Sequence, residues 1–300
     1  MKKKTYLFAL MAMALTLGSC SDNENGIGGE TSKYITVSTS IGNMTRVATD
    51  AKGGQTFEEG DEISVYAWTG APTVAPETSE RVVNNAINKL TNGSWISTPQ
   101  MLWKNNREKH YFIGVYPTAA ISDLSAGEYT FDANKQTESD LLVAVNPDGL
   151  SYSADAQQTV PLTFTHVMAK LAVNLTYKNQ WGGIPTVEKV VVGNAAKEAT
   201  INYLTKVVTP STTAKEDFSL PEITENTKYV SVIIPQEEVT QLTIVIGGKN
   251  FVYDNGTPFK LESGKITTVN LEVGRDEIKL GDVKITNWED GSTFSGEAIN

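Results

Sequence analysis

From Thr31 onward the apolar residues of this chain recur at every second position, and no stretch carries the spacing of a long amphipathic helix. Such alternation sends one face of an extended segment into a core and the other into water. In Tyr34–Ile41, Ile35, Val37, Thr39 and Ile41 point one way while Thr36, Ser38 and Ser40 point the other. The same pattern predicts strands over Ile63–Trp68, His110–Tyr116, Leu141–Val145, Val160–Val167, Ala169–Leu175, Val187–Val192, Tyr229–Ile234, Leu242–Ile246, Phe251–Tyr253, Thr267–Val273 and Ile278–Ile285. Turn-forming pairs punctuate them: Gly53-Gly54, Asn92-Gly93, Asp148-Gly149, Gly182-Gly183, Gly247-Gly248 and Asn255-Gly256. So many short strands in 300 residues, 40% of them hydrophobic, fit an all-β fold of two tandem antiparallel β-sandwiches better than one. The apolar pattern breaks between Val145 and Val160, which divides the body into 47–155 and 156–300.

The N-terminus reads as an address. Lys2, Lys3 and Lys4 precede an apolar run from Tyr6 to Leu17, about a dozen residues where a bilayer span needs ~20, as in a cleaved signal peptide over 1–19. It ends Leu17-Gly18-Ser19-Cys20, which resembles a bacterial lipobox with Cys20 as the lipid-bearing residue. The polar, glycine-rich stretch that follows lacks apolar periodicity and reads as a tether, 20–46 then comprising tether, first strand and candidate prosegment. Its acidic start, Ser21-Asp22-Asn23-Glu24, is similar to surface-export signals of Bacteroidetes lipoproteins, placing the precursor on the outer membrane.

Composition excludes several chemistries. A formal charge of −10 with no basic patch argues against nucleic acid as a partner. The single cysteine is Cys20, so the folded body has no thiol for a disulfide, a zinc site or a nucleophile. The two histidines, His110 and His166, lie far apart without metal-ligand spacing; the first reads as exposed at a strand entrance and the second as a core or interface histidine. Glu58-Glu59-Gly60-Asp61-Glu62 reads as a solvated turn, because a contiguous acidic run gives no pair of carboxylates across a cleft. Trp68, Trp95, Trp103, Trp181 and Trp288 are scattered and form no sugar-stacking platform in sequence. The expectation is a chain that is not an enzyme, with no catalytic residues, no metal and no organic cofactor.

Several stretches, taken together and in order, resemble the fimbrillin family of Bacteroidales, the subunits of type V pili. They are Thr45-Arg46, Phe57-Glu58-Glu59-Gly60-Asp61-Glu62-Ile63-Ser64-Val65-Tyr66-Ala67, Phe112-Ile113-Gly114-Val115-Tyr116-Pro117, Ser139-Asp140-Leu141-Leu142-Val143-Ala144, Leu162-Thr163-Phe164-Thr165-His166-Val167-Met168-Ala169-Lys170-Leu171 and Ile285-Thr286-Asn287-Trp288. The resemblance implies transthyretin-like sandwiches, lipoprotein export and assembly outside the cell by strand exchange with other pilus subunits. It also implies an Arg-specific protease acting between Arg46 and Val47, which would remove lipid and first strand together. The groove so opened would accept a neighbour's strand through backbone hydrogen bonds and alternate side chains. The candidate donor runs from Ile278 to Trp288, with Ile278, Leu280, Val283 and Ile285 as its apolar residues and a break in phase near Gly281-Asp282. The residues also allow Arg46 to be an ordinary loop residue of a protein that stays lipidated, as a pilus anchor or a non-polymerising surface lipoprotein that binds glycans. A host or bacterial surface ligand would be the partner of an adhesive subunit.

Overall fold

The computed structural model describes residues 33–42, 56–154, 158–276 and 278–288; Cys20, Arg46 and Val47 lie outside them, as does the Gly53-Gly54 turn. The alternating segments pair into four sheets. The largest has seven strands, in spatial order β1 (Thr36–Ile41), β8 (Thr159–His166), β7 (Leu142–Leu150), β5 (His110–Tyr116), β2 (Glu62–Thr69), β3 (Val83–Thr91) and β4 (Ser94–Thr98). A five-stranded sheet follows the order β14 (Glu222–Thr224), β15 (Lys228–Ile233), β9 (Ala169–Tyr177), β18 (Lys265–Val273) and β19 (Ile278–Asn287). Four strands, β13 (Lys215–Ser219), β10 (Val187–Ala196), β16 (Gln236–Ile246) and β17 (Lys249–Leu261), form another; β12 (Val207–Pro210), β11 (Glu198–Asn202) and β6 (Gly127–Thr130) form the last. Helical structure among the described residues is confined to 3₁₀ turns at Thr78–Glu80 and Asn179–Trp181. The chain is all-β, and its ladders are antiparallel except for β1 with β8 and β9 with β18.

Every segment predicted from alternation is a strand. Those that alternation misses are short or polar: Val83–Thr91 is interrupted by Asn84, Asn85 and Asn88, and Lys215–Ser219 has one buried apolar residue, Phe218. Their strand state comes from the neighbours they pair with, which local sequence does not display. Two predicted turns are not turns. Asp148-Gly149 lies within β7, where Asn146 Oδ1 accepts the Gly149 N–H at 2.8 Å and the ladder to β5 shifts register, making an irregular strand instead of a chain reversal. Asn255-Gly256 likewise falls inside β17. By contrast Asn92-Gly93 (φ 52° and 73°) and Gly247-Gly248 (φ 58° and 71°) close the β3–β4 and β16–β17 hairpins, the positive-φ pairs that two-residue hairpins require. β8, placed in the second half by a boundary at 155/156, pairs with β7 and β1 in the seven-stranded sheet, so sheet membership changes between His166 and Ala169.

Two hydrophobic clusters organise the interior. One face of the seven-stranded sheet gives Ile63, Val65, Ala67, Phe112, Leu142, Ala144, Val160, Leu162 and Phe164 to a cluster completed by Ile35, Val37, Ile41, Met101 and Trp103. The opposite face gives Tyr66, Trp68, Ile113, Val115 and Val143 to a larger cluster shared with β9, β10, β16 and β18. Strands buried on both faces read as continuous apolar runs, which explains Ile63–Trp68 and Phe112–Val115.

Gly114 sits where β5 meets the side chains of β8. A Cβ there would lie 2.6 Å from Phe164 Cζ and 3.1 Å from Leu162 Cδ1. Both partners are fully buried, so Gly114→Ala should cost about 1–3 kcal/mol, the ordinary price of overpacking. A lowered urea midpoint with unchanged m-value is the expected result.

Candidate functional site

The first candidate strand, β1, occupies a slot with two walls. On one side it ladders with β8 in parallel register from Thr36↔Thr159 to Ile41↔Phe164, and Gly42 N–H extends the ladder to Phe164 O at 2.8 Å. On the other, the chain entering β1 meets the segment that follows β4: Ile35 N–H donates to Met101 O at 2.9 Å, and Trp103 N–H to Lys33 O at 3.2 Å. Trp95 Nε1–H reaches Thr39 Oγ1 at 3.0 Å. The sheet thereby closes on itself, with β1 as the last stave. Ile35, Val37 and Ile41 turn inward and are buried, as alternation requires, while Ser38 and Ser40 face out. At the Ile41 end, Phe57 packs edge-to-face against Trp95, Tyr116 and Phe164 with centroids 5.1–5.3 Å apart.

The wall at Met101–Trp103 is too short to show alternation, and sequence reasoning misses it. It is held from behind by His110, which is fully buried and not exposed as its position after Arg107-Glu108-Lys109 suggests. Trp103 meets the His110 ring edge-on at 5.0 Å, Lys104 N–H donates to Nε2 at 3.0 Å, and Nδ1 lies 3.2 Å from Glu108 O. These contacts fix a neutral ring protonated on Nδ1.

The candidate donor residues lie at the other end of the chain, in β19, an edge strand laddered to β18. Ile278, Leu280 and Val283 are half-buried against the larger cluster, whereas Ile285 is 40% exposed. The ladder runs Val269↔Val283 then Leu271↔Leu280, so Gly281 and Asp282 together oppose Asn270, which puts a bulge at the phase break. β1 and β19 thus belong to different sheets and are not brought together.

The remaining singled-out residues are structural in their contacts. Glu58 and Glu59 are exposed in a turn, where Glu59 Oε1 accepts the Asn92 N–H at 2.7 Å and Glu62 pairs with Lys89 at 2.9 Å. Trp68, Trp103 and Trp288 are buried, and Trp95 and Trp181 half-buried, leaving no exposed aromatic platform among them. His166 is buried at the end of β8 with Nδ1 2.8 Å from Asp140 Oδ1. Among the described residues no group of three or more His, Cys, Asp or Glu is placed to hold a metal ion.

The sequence model of fimbrillin-like proteins matches residues 45–288, most of the chain, including β19 and leaving out β1. This chain belongs to the fimbrillin-like family. The family consists of structural and adhesion proteins, in keeping with the expectation that the chain is not an enzyme. No curated protein matches the chain in sequence. Among solved structures it is similar to a Bacteroides ovatus protein assigned to cell adhesion, with a TM-score of 0.61 and 18% identity over 85% of this chain and 98% of that one. A Bacteroides uniformis protein with the same assignment gives 0.61 at 16% identity, over 86% and 100% of the two chains. A fimbrial protein from Bacteroides vulgatus gives 0.51 at 12%, over 84% and 99%. At these identities the likeness concerns the fold.

Burial lowers the pKa of His110 below its ordinary 6.5. The unfolded chain therefore takes up the proton first as pH falls. The stability carried by the neutral ring is complete above about pH 6.5 and declines as pH drops through that value toward the lower folded one. The thermal midpoint should accordingly fall between about pH 7.5 and pH 5.5 by more in the wild type than in His110→Gln, which keeps an acceptor but cannot titrate. Equal pH slopes in the two proteins would show that folding leaves the His110 pKa unchanged.

Proposed function

We propose that this chain is a pilus subunit exported as a lipoprotein on Cys20, released by cleavage between Arg46 and Val47, and assembled by strand exchange. In this reading the chain forms two tandem sandwiches, and the strand lost with the prosegment is β1. The observation that carries it is the position of β1. It is a peripheral stave, contiguous in sequence with the segment that bears Arg46, yet it fills a slot lined by Val160, Leu162, Phe164, Met101 and Trp103. Taking it away would uncover the backbone of β8 on one side and of Met101–Trp103 on the other. Burying Ile35, Val37 and Ile41 contributes roughly 1.5–3 kcal/mol each, so an empty slot strongly favours a replacement. A neighbour's β19, offering Ile278, Leu280, Val283 and Ile285, would supply both side chains and ladder bonds. The adhesion assignment of the similar structures supports a surface role, with other subunits, and a host or bacterial surface ligand for an adhesive subunit, as partners.

Two experiments test this. Lipidation predicts that Cys20→Ala abolishes incorporation of a fatty-acid analogue and retention on the outer membrane; unchanged labelling would remove the lipobox. For assembly, purified precursor is cut with an Arg-specific protease, the new N-terminus at Val47 is confirmed, and size is read by chromatography. Wild type should pass from monomer to oligomers, Arg46→Ala should stay monomeric, and a chain ending before Ile278 should be cut yet remain monomeric. Polymerisation of the truncated chain as readily as wild type would rule out β19 as donor.

A further inference from the structure

β19 is held on its own chain unevenly. From Ile278 to Asn287 its residues are half-buried or exposed, and its ladder to β18 is broken by the bulge at Gly281-Asp282. The next residue, Trp288, is buried. Its indole stacks on the His166 imidazole with centroids 4.0 Å apart and planes 7° from parallel, and Lys170 Nζ lies 4.0 Å from the indole ring. Trp288 N–H donates to Gly264 O at 3.0 Å. Gly264 admits this packing because it has φ +68° and because a Cβ there would lie 3.0 Å from His166 O. The ring under the indole is itself fixed by Asp140, 2.8 Å from Nδ1. Added to the ladder with β18 and the half-buried Ile278, Leu280 and Val283, the one large side chain buried on this edge is thus Trp288, just past its end.

The platform for that side chain is not in the same sheet. His166 ends β8, and β8 pairs with β7 through Phe164, Thr165 and His166 alone, against Ala144, Val143 and Leu142. Thr159 to Phe164 ladder with β1, so the two ladders overlap at Phe164 alone. Without β1, β8 would keep its three residue pairs with β7 and, just past its end, the bond from Val167 N–H to Leu141 O at 3.0 Å, all at the end that carries the stack.

We propose that the Trp288–His166 stack is a latch that keeps β19 on its own sheet, and that β1 keeps the latch closed by steadying β8. The inference rests on the strand-exchange reading for its purpose: loss of β1 would open the acceptor slot and loosen the donor in one event. A subunit that has not been processed then offers neither surface to a neighbour.

Hydrogen exchange on the purified full chain tests this without any polymer present. Trp288→Ala should speed exchange of the β19 amides about tenfold, Trp288→Phe should restore much of the protection, and amides of β10 should not change in either. Ile41→Ser, which weakens β1 at its Phe164 end, should speed β19 exchange in the wild-type background but add nothing in Trp288→Ala. Unchanged β19 exchange in Trp288→Ala would overturn the latch. Independent, additive effects of Ile41→Ser and Trp288→Ala would overturn its dependence on β1. Should exchange behave as expected while the protease-cut chain stays monomeric, the latch stands and strand exchange falls.

Discussion

In β2, Ile63, Val65 and Ala67 face one core while Tyr66 and Trp68 face another, and β5 divides Phe112 from Ile113 and Val115 in the same way. Strands of this kind cannot be exposed on either side without opening an interior, so the centre of the seven-stranded sheet is fixed from both directions. The freedom to change sits at the periphery. β1 touches only the smaller cluster, and β19 only the larger, so either can leave while the doubly buried strands stay in place. Under the proposed exchange, that separation would let the doubly buried strands keep their place while an edge strand is replaced.

Legibility in the sequence follows the same division. Where burial is strong the pattern is plain: Ile63–Trp68, His110–Tyr116 and Ala169–Leu175 emerge as strands from their apolar residues. Glu222–Thr224 and Lys215–Ser219 are strands because β15 and β10 offer them partners, information that lies elsewhere in the chain. Met101–Trp103 closes the β1 slot with three residues, fewer than one period of alternation needs to be recognised. The misread histidine has the same origin. His110 follows three charged residues, yet strand parity turns it into the interior, where Trp103 and the Lys104 amide accept it as a neutral ring. Cys20 and Arg46 are read from local sequence and lie outside the described residues.

The aromatic residues build the ends and one wall of the slot that holds β1. Phe57, Trp95, Tyr116 and Phe164 form an edge-to-face cluster that stoppers one end of the slot, and Trp103 with His110 and Phe112 builds its opposite wall. Edge-to-face contacts favour defined ring positions. Between these rings the slot is lined by Val160, Leu162 and Met101.

The two edges also differ in how much they gain from burial, and the difference would give the proposed exchange a direction. β1 hides three large side chains almost completely, with 3–9% of each exposed. β19 leaves Ile278, Leu280 and Val283 half-covered and Ile285 40% exposed. A strand that moves from the second kind of site to the first hides apolar surface it already carries, at about 25 cal/mol per Å² removed from water. Its ladder bonds to β18 are replaced by bonds to β8 and Met101–Trp103, so hydrogen bonding nearly cancels. Side-chain burial is then the net driving term, and it favours the deeper slot. What would most oppose departure, beyond the ladder itself, is the well-buried contact at the end of β19, the Trp288 indole on His166.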